Sequence, residues 1–232
     1  MRLITMHKGV GEAKLDFYGC PLGCKYCAHR MREKKDHAYD QVLKFLSEYE
    51  TKRVFIGGAE PAMQKRELTE LIKILHKRGK EITLKTAGTD PDFLRDTLGS
   101  VHRYIIEMKA PLDDLEGTMR LTNLEEDKAL AYLENVRKCL EVLKGQKVRA
   151  MIRVIPTVLD REKVERMGRQ LRGYAEEVQL IQFMSGGNDI PFEGISRPSP
   201  SFEEMEALGN LMTKHVPLVI VQGDGFDTTL RG

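Results

Sequence analysis

Apolar residues along the chain follow two different spacings. Short runs with alternating or β-branched apolar residues predict strands, and longer runs with apolar residues three and four positions apart predict helices. Strands are predicted at 13–19, 53–58, 81–88, 103–111, 147–158, 177–184 and 217–223. Helices are predicted at 39–50, 68–75, 92–98, 127–144, 161–174 and 201–215. Strands and helices therefore alternate along nearly the whole chain.

This alternation predicts an α/β fold in which a parallel sheet is covered by helices. The 232 residues fit one large domain, residues 1–232, more easily than two ordinary ones. A doubly wound sheet and a barrel-like sheet both agree with the pattern, and in either arrangement chemistry collects at the carboxyl ends of the strands. Glycine and polar residues stand at those ends, at 19–20, 57–61, 85–88, 107–111 and 153–156. They predict one site lined by successive strands.

Composition narrows the class of protein. Hydrophobic residues make up 41% of the chain and charged residues 31%, which argues against a disordered or fibrous protein. A formal net charge of +2 gives no strong signal for nucleic acid or for an anionic membrane. No apolar run is long enough to span a membrane, and the first residues lack the apolar centre of a signal peptide. We therefore expect a cytoplasmic protein.

Three of the four cysteines fall close together, in a C-x3-C-x2-C pattern at Cys20, Cys24 and Cys27. In a cytoplasmic protein such a group indicates a metal site rather than disulfides. Three thiolates can hold three irons of a cubane cluster and leave the fourth iron open to a small molecule. The alternative is structural zinc, with His29 or another histidine as the fourth ligand. Cys139 lies at helical spacing with apolar residues and is interpreted as a core thiol.

Two motifs give the sequence a resemblance to the radical SAM (S-adenosylmethionine) family. The first is the cysteine triplet, with the aromatic residue Tyr26 before its last cysteine, directly after a predicted strand. The second is Gly57-Gly58-Ala59-Glu60-Pro61, which is similar to the family's glycine-glycine-glutamate-proline motif with an alanine inserted. Within the family the chain looks most like the activating enzymes of glycyl-radical enzymes, such as the one that serves pyruvate formate-lyase.

Three further strand ends carry the resemblance to activating enzymes. The segment KTAG at 85–88 is similar to their Asp-Thr-Asn-Gly, with Lys85 in place of the acid. The segment EMK at 107–109 resembles their Asp-Leu-Lys, and IRVIP at 152–156 resembles their Ile-Arg-(apolar)-Pro. The chain departs from them after the last cluster cysteine, where Ala28 and His29 replace the usual His-Asn, and it has no cysteine group for an auxiliary cluster.

The resemblance implies an incomplete (β/α)6 TIM-like barrel of the radical SAM type. It implies one 4Fe-4S cluster on the three cysteines and S-adenosylmethionine as the second cofactor, with no catalytic residue beyond these cofactors. The residues that would contact SAM are Tyr26, Gly57, Gly58, Ala59, Glu60, Thr86, Lys109 and Arg153. The glycine-rich segment would meet the methionyl ammonium and Tyr26 the adenine. Thr86 and Lys109 would contact the ribose or carboxylate, and Arg153 the SAM carboxylate or a neighbouring carboxylate.

The resemblance also implies partners and a reaction. Ferredoxin or flavodoxin would donate the electron, and a 5′-deoxyadenosyl radical would abstract hydrogen from a protein or peptide. One alternative is a radical SAM step on a small metabolite or nucleoside, and another is a non-catalytic zinc-binding or interaction protein. The basic run at 29–35 is interpreted as a solvated loop that could dock an electron donor or acidic partner. The loop at 186–201 and the tail at 223–232 are expected to select the substrate.

Overall fold

The computed structural model describes residues 1–48, 50–184 and 199–232. The strands are β1 (Arg2–Gly9), β2 (Glu12–Phe17), β3 (Lys35–Asp36), β4 (Arg53–Gly58), β5 (Glu81–Thr86), β6 (Arg103–Met108), β7 (Val148–Val154), β8 (Glu177–Gln182), β9 (Leu218–Gly223) and β10 (Phe226–Arg231). The α-helices are α1 (Tyr39–Ser47), α2 (Lys65–Lys77), α3 (Pro91–Thr97), α4 (Leu115–Thr122), α5 (Glu126–Val142), α6 (Arg161–Leu171) and α7 (Phe202–Met212).

All described strands belong to one sheet, in the order β10-β9-β8-β7-β6-β5-β4-β2-β1-β3. The seven strands β2 and β4 to β9 run parallel, and helices connect each to the next, so the chain contains six strand–helix units followed by β9. Within the described residues, the outermost strands β3 and β10 do not pair with each other. The barrel is open, which confirms the predicted incomplete (β/α)6 architecture.

The prediction of a wholly parallel sheet with about seven strands is wrong at both edges of the sheet. β1 pairs antiparallel with β2 and β3, and β10 pairs antiparallel with β9, so 217–223 is not the final strand. In β1 the register shifts between Leu3 and Thr5, and two successive residues are buried, which breaks the alternation expected of a strand. The predicted substrate-selecting loop lies mostly outside the described residues, since positions 186–198 fall there.

Helix α4 is absent from the predicted elements. Its buried face is made of small and polar residues as well as one leucine, namely Gly117, Thr118, Leu121 and Thr122. An apolar stripe of the usual kind is therefore missing, although Asp114 caps the helix by accepting a hydrogen bond from the Gly117 backbone N–H at 3.0 Å. No helix among the described residues is long and apolar enough to cross a membrane.

Alternate residues of the central strands separate the core from the inside of the barrel. In β6, Tyr104, Ile106 and Met108 lie in the main hydrophobic core and are at most 1% exposed. Glu107 and Lys109 point to the opposite side, because successive strand residues face opposite ways. The inside of this barrel is therefore partly polar, and it is there that the strand ends bring charged residues together.

At Gly58 the backbone of β4 approaches β2 so closely that no side chain fits. Gly58 has a φ of +93°, and a Cβ added there would lie 2.4 Å from the Phe17 nitrogen. The Ala59 N–H donates to the Phe17 carbonyl oxygen at 2.9 Å, and the Glu60 N–H donates to that of Gly19 at 2.9 Å. The end of β4 is therefore fixed against the start of the cysteine loop.

A partly buried ion cluster joins three strands at their amino-terminal ends, opposite the predicted site. The Arg103 guanidinium donates to both oxygens of Glu177, at 2.7 and 2.6 Å, and Arg149 Nε donates to Oε2 at 2.6 Å. Burial would raise the pKa of Glu177, but hydrogen bonds from the two arginines hold this pKa below its ordinary value. The cluster stabilises the pairing of β6, β7 and β8.

We expect Gly58→Ala to destabilise the fold by about 3 kcal/mol or more, because the left-handed backbone and the clash with Phe17 both oppose a Cβ. Gly79→Ala is the matched control: its φ is also positive, at +71°, but nothing lies within 4 Å of the added Cβ. Its cost should be about 1 kcal/mol. Urea unfolding of both variants checks this, and equal losses of unfolding free energy would contradict the close approach.

We also expect Glu177→Gln to lower the free energy of unfolding by about 1–3 kcal/mol at neutral pH, because two arginines lose their charged partner. A carboxylate with a lowered pKa stabilises the fold above its unfolded pKa, roughly 4.3, and this contribution is lost as the pH falls further. Melting temperatures measured across that acid range should therefore drop more steeply for the unmodified protein than for the variant. Glu70→Gln, at an exposed position on α2, should reproduce the unmodified profile.

Candidate active site

The loop after β2 carries three free thiols, and all three line one cavity of about 900 Å³. Cys24 is buried, while Cys20 and Cys27 are partly exposed. The Leu22 N–H donates to Cys20 Sγ at 3.4 Å, and the Cys27 N–H donates to the Cys24 carbonyl oxygen at 3.1 Å. The structure thus brings the three predicted metal ligands to the same surface.

Helix α4, absent from the sequence prediction, holds this cysteine loop in place. The Gly23 N–H donates to the Thr122 carbonyl oxygen at 2.7 Å, and the Lys25 N–H donates to that of Leu121 at 3.3 Å. These acceptors are carbonyls at the carboxyl end of the helix, which have no partner within it. On the other side of the loop, Arg30 donates to the Gly23 carbonyl oxygen at 2.8 Å. The loop is therefore anchored from both sides through the backbone of Gly23.

The donor set fits an iron–sulfur cluster. Burial raises the pKa of the Cys20 thiol to about 12 and also raises that of Cys24, while the positive charge of Lys109 acts in the opposite direction on both. Binding of a metal group would have to displace these protons. Among the described residues, no three Cys, His, Asp or Glu side chains are grouped so as to hold a metal ion. Three thiols that line one cavity match the three cysteine ligands of a cubane cluster, which leaves the fourth iron open to a small molecule.

The glycine-rich segment after β4 contributes backbone to the cavity. Gly58 and Ala59 line it, directly beside the cysteine loop. Gly57 is buried behind them, where an added Cβ would lie 2.6 Å from a ring carbon of Phe55. A side chain is therefore excluded at the two glycines by different neighbours. A Cβ at Gly57 would clash with the Phe55 ring, and a Cβ at Gly58 would clash with the backbone of β2.

Glu60 and Thr86 lie outside the cavity wall and bind each other. The Glu60 carboxylate is fully buried and accepts hydrogen bonds from Thr86 Oγ1 at 2.7 Å, the Ala87 N–H at 2.8 Å and the Ala62 N–H at 3.1 Å. Burial raises the pKa of Glu60 even though these hydrogen bonds act to lower it. The two residues therefore join the end of β4 to the end of β5.

Glu107 is the centre of a charged group in the cavity wall. Its carboxylate forms ion pairs with Lys109 and, at 2.9 Å, with Lys85, and it lies 3.5 Å from the Tyr26 hydroxyl. Burial would raise the pKa of Glu107, but the charges of Lys109 and Lys85 hold it well below its ordinary value. Burial opposes the charge on Lys109, yet Glu107 keeps the pKa of that ammonium well above its usual range. Both groups therefore stay charged.

Tyr26 and Arg153 complete the wall. The Tyr26 ring is buried, and the Lys109 ammonium lies 5.4 Å from its centroid. Arg153, on β7, is partly exposed, lines the cavity and lies near enough to Glu107 to lower its pKa. Of the predicted site residues, the cavity is lined by Cys20, Cys24, Cys27, Tyr26, Gly58, Ala59, Lys109 and Arg153.

Sequence reasoning assigned no role to several residues that line the cavity. Lys85 stands at a predicted strand end but was singled out only as a departure from the acid of activating enzymes. Asn123 and Glu125, in the connection between α4 and α5, also line the cavity, as does Lys128 in the first turn of α5. Lys85 could have been found from its place at the end of β5, whereas no sequence signal marks the other three.

This chain is similar to known proteins along most of its length. A family model described as the radical SAM superfamily matches residues 15–171. A curated protein of Methanocaldococcus jannaschii, provisionally named a glycyl-radical enzyme activating enzyme, is 20% identical over 218 residues, covering 91% of this chain and 88% of that protein. A dual-specificity RNA methyltransferase RlmN of Prochlorococcus marinus, also a provisional name, is 26% identical over 205 residues, covering 79% of this chain and 55% of that protein.

Solved structures share the fold. A radical SAM methyltransferase from Sphaerobacter thermophilus aligns with a TM-score of 0.67 at 20% identity, covering 94% of this chain and 68% of that one. TYW1 with a bound lysine–pyruvate adduct aligns with a TM-score of 0.64 at 16% identity, covering 91% and 76%. Because the family model matches well over half of the chain, this protein belongs to the radical SAM superfamily.

Proposed function

We propose that this chain is a single radical SAM core domain that abstracts hydrogen from a protein or peptide, as an activating enzyme does. The observation that carries the proposal is the shared cavity, in which three free thiols lie beside the glycine-rich segment, Lys109 and Arg153. The similarity to the provisionally named activating enzyme supports the choice of substrate class, because it extends along nearly the full length of both proteins.

The residues that would hold the cofactors follow from their positions. Cys20, Cys24 and Cys27 would bind a 4Fe-4S cluster, and the backbone of Gly58 and Ala59 would meet the methionyl end of SAM. When bound, the cluster and SAM supply a 5′-deoxyadenosyl radical through reductive cleavage of SAM. Tyr26 would lie beside the adenine. The electron would come from ferredoxin or flavodoxin, as the family resemblance implies.

The charged residues have the task of orienting the carboxylate of SAM. Arg153 offers a planar fork of donors that suits a carboxylate, and Lys109 offers an ammonium held rigidly by Glu107. Glu60, Thr86 and Gly57 would act from behind the wall, because they set the positions of the strand ends without lining the cavity. In such a site the protein supplies orientation and exclusion of water, and the cofactors supply the reactivity.

Cys24→Ala should abolish cluster assembly and SAM cleavage, because it removes one of three ligands. Cys139→Ala is the matched control, since Cys139 is equally buried but lies in the core on α5. The measurements are the iron content and visible absorption after anaerobic reconstitution, then 5′-deoxyadenosine formed with dithionite and SAM. Normal cleavage by the Cys24 variant would contradict the cluster assignment, and so would a colourless unmodified protein that holds one zinc ion.

A protein substrate is tested separately from a small one. Anaerobic extract of the source organism is divided by ultrafiltration, and each fraction is added to the reconstituted enzyme while 5′-deoxyadenosine is measured. The retained fraction should stimulate the reaction, and protease treatment of that fraction should remove the stimulation. Stimulation by the filtrate instead would favour a small metabolite or nucleoside and contradict the proposed substrate class.

A further inference from the structure

The cavity wall concentrates positive charge. The lining side chains include six lysines and arginines, namely Arg30, Arg32, Lys85, Lys109, Lys128 and Arg153. Only two lining residues are acidic, Glu107 and Glu125. The described lining therefore carries four more positive than negative charges, although the whole chain has a net charge of only +2. The rest of the chain must be net negative, so the excess is specific to the cavity.

Lys85 is one of these positively charged lining residues, and it forms an ion pair with Glu107. Lys85 pairs with Ile105 in the sheet register and Glu107 pairs with Met151, so Lys85, Glu107 and Arg153 form a diagonal row across β5, β6 and β7 on one face. Glu107 supplies one negative charge to this row, while Lys85, Lys109 and Arg153 supply three positive ones. The Lys85 side chain is 21% exposed, against 8% for Lys109, so Lys85 is the more accessible of the two lysines bound to Glu107.

The cofactors do not fully cancel this excess. The irons and sulfides of a 4Fe-4S cluster together with three thiolates sum to about one negative charge when oxidised and about two when reduced, and the carboxylate of SAM is balanced by its own sulfonium, so the cofactors remove only part of the excess. A substrate that enters the cavity therefore meets a net positive wall, and an anionic group on it would be attracted. The Lys85 ammonium is already paired with Glu107 at 2.9 Å, so it has few N–H donors left for a ligand, which suits a singly charged carboxylate better than a phosphate with its three acceptor oxygens.

We propose that Lys85 binds a carboxylate of the substrate and so makes this enzyme specific for substrates with an acidic group beside the hydrogen that is abstracted. The inference rests on the proposed function and adds the chemical class of the substrate. A protein substrate would present an Asp or Glu side chain, and a small substrate would present its own carboxylate. The exposed Arg32 and Lys128 lie at the rim of the same cavity and would attract such a group from solution.

The test measures binding, which is independent of catalysis. The reconstituted enzyme with SAM is titrated by calorimetry at low salt with two acetylated, amidated peptides that carry Glu-Gly-Glu or Gln-Gly-Gln at their centre. Succinate and succinamide form the corresponding small-molecule pair. We expect the carboxylate member of at least one pair to bind about tenfold more tightly, the factor that one charge-assisted hydrogen bond provides. Preference in the peptide pair identifies a peptide source, and preference in succinate alone a small one.

Three variants locate the preference. Lys85→Gln should reduce it to about twofold or less, because the ammonium is lost, and Lys85→Arg should retain most of it because the charge remains. Lys77→Gln, at an exposed lysine of α2 outside the cavity, should have no effect. The iron content of each variant confirms that the cluster loop is intact. Loss of the preference in the arginine variant as well, with full iron content, would contradict a charge-based role for Lys85.

Other outcomes overturn the inference outright. Equal binding within both pairs would contradict a carboxylate site. Displacement of the peptides by an oligouridine RNA, if it depends on Lys85, would also contradict it, because RNA presents phosphate groups and no carboxylate. Failure of the proposed function has a different signature, since the unmodified enzyme would then form no 5′-deoxyadenosine whatever the binding result. Normal SAM cleavage with equal peptide binding would contradict the carboxylate specificity alone.

Discussion

Glu107 brings a negative charge into a buried position in the cavity wall, where an unpaired carboxylate would be strongly disfavoured. It keeps its charge because Lys109 and Lys85 bind it from two strands, and the Tyr26 hydroxyl approaches it from the cysteine loop. The carboxylate therefore fixes where these three side chains can lie. Since Tyr26 stands between two of the cluster cysteines, the same interaction relates the proposed cluster to the strand ends. The arrangement and charge of this part of the cavity wall therefore depend on one buried group.

A second buried carboxylate has a different task. Glu60 belongs to the motif that gives the sequence its resemblance to the family, yet its oxygens are occupied by Thr86 and by two backbone N–H groups. Together with the close approach of Gly58 to Phe17, it aligns the ends of β2, β4 and β5. The motif thus acts partly through backbone geometry, which explains why Ala59 can be accommodated within it. Residues of one motif divide between those that line the cavity and those that hold the lining in place.

The fold and the cofactor chemistry leave the substrate open. The relatives named above include an RNA methyltransferase and a provisionally named activating enzyme, and the solved structures that share the fold include TYW1. One scaffold therefore serves several reactions, and the specificity of each must come from residues at the site. In this chain we propose Lys85 as such a residue, because its positive charge lies in the cavity wall. An excess of cationic residues at the rim has the same sign and supports the same preference.

The amino-acid sequence by itself determined the α/β class, the strand ends that line the site and the proposed cysteine ligands, and the open barrel followed from its resemblance to the family. It could do so because a buried parallel strand and its covering helix each leave a local periodicity, and because the cysteine spacing is local too. The edge strands β1 and β10 and helix α4 could not be predicted, since an irregular register, half-exposed faces and a buried side of small polar residues leave no such periodicity. Only the tertiary structure decided that Glu60 and Thr86 lie behind the cavity wall while Lys85 lines it. Those positions depend on contacts between residues that are far apart in the sequence, and the spacing of residues along the chain does not show such contacts.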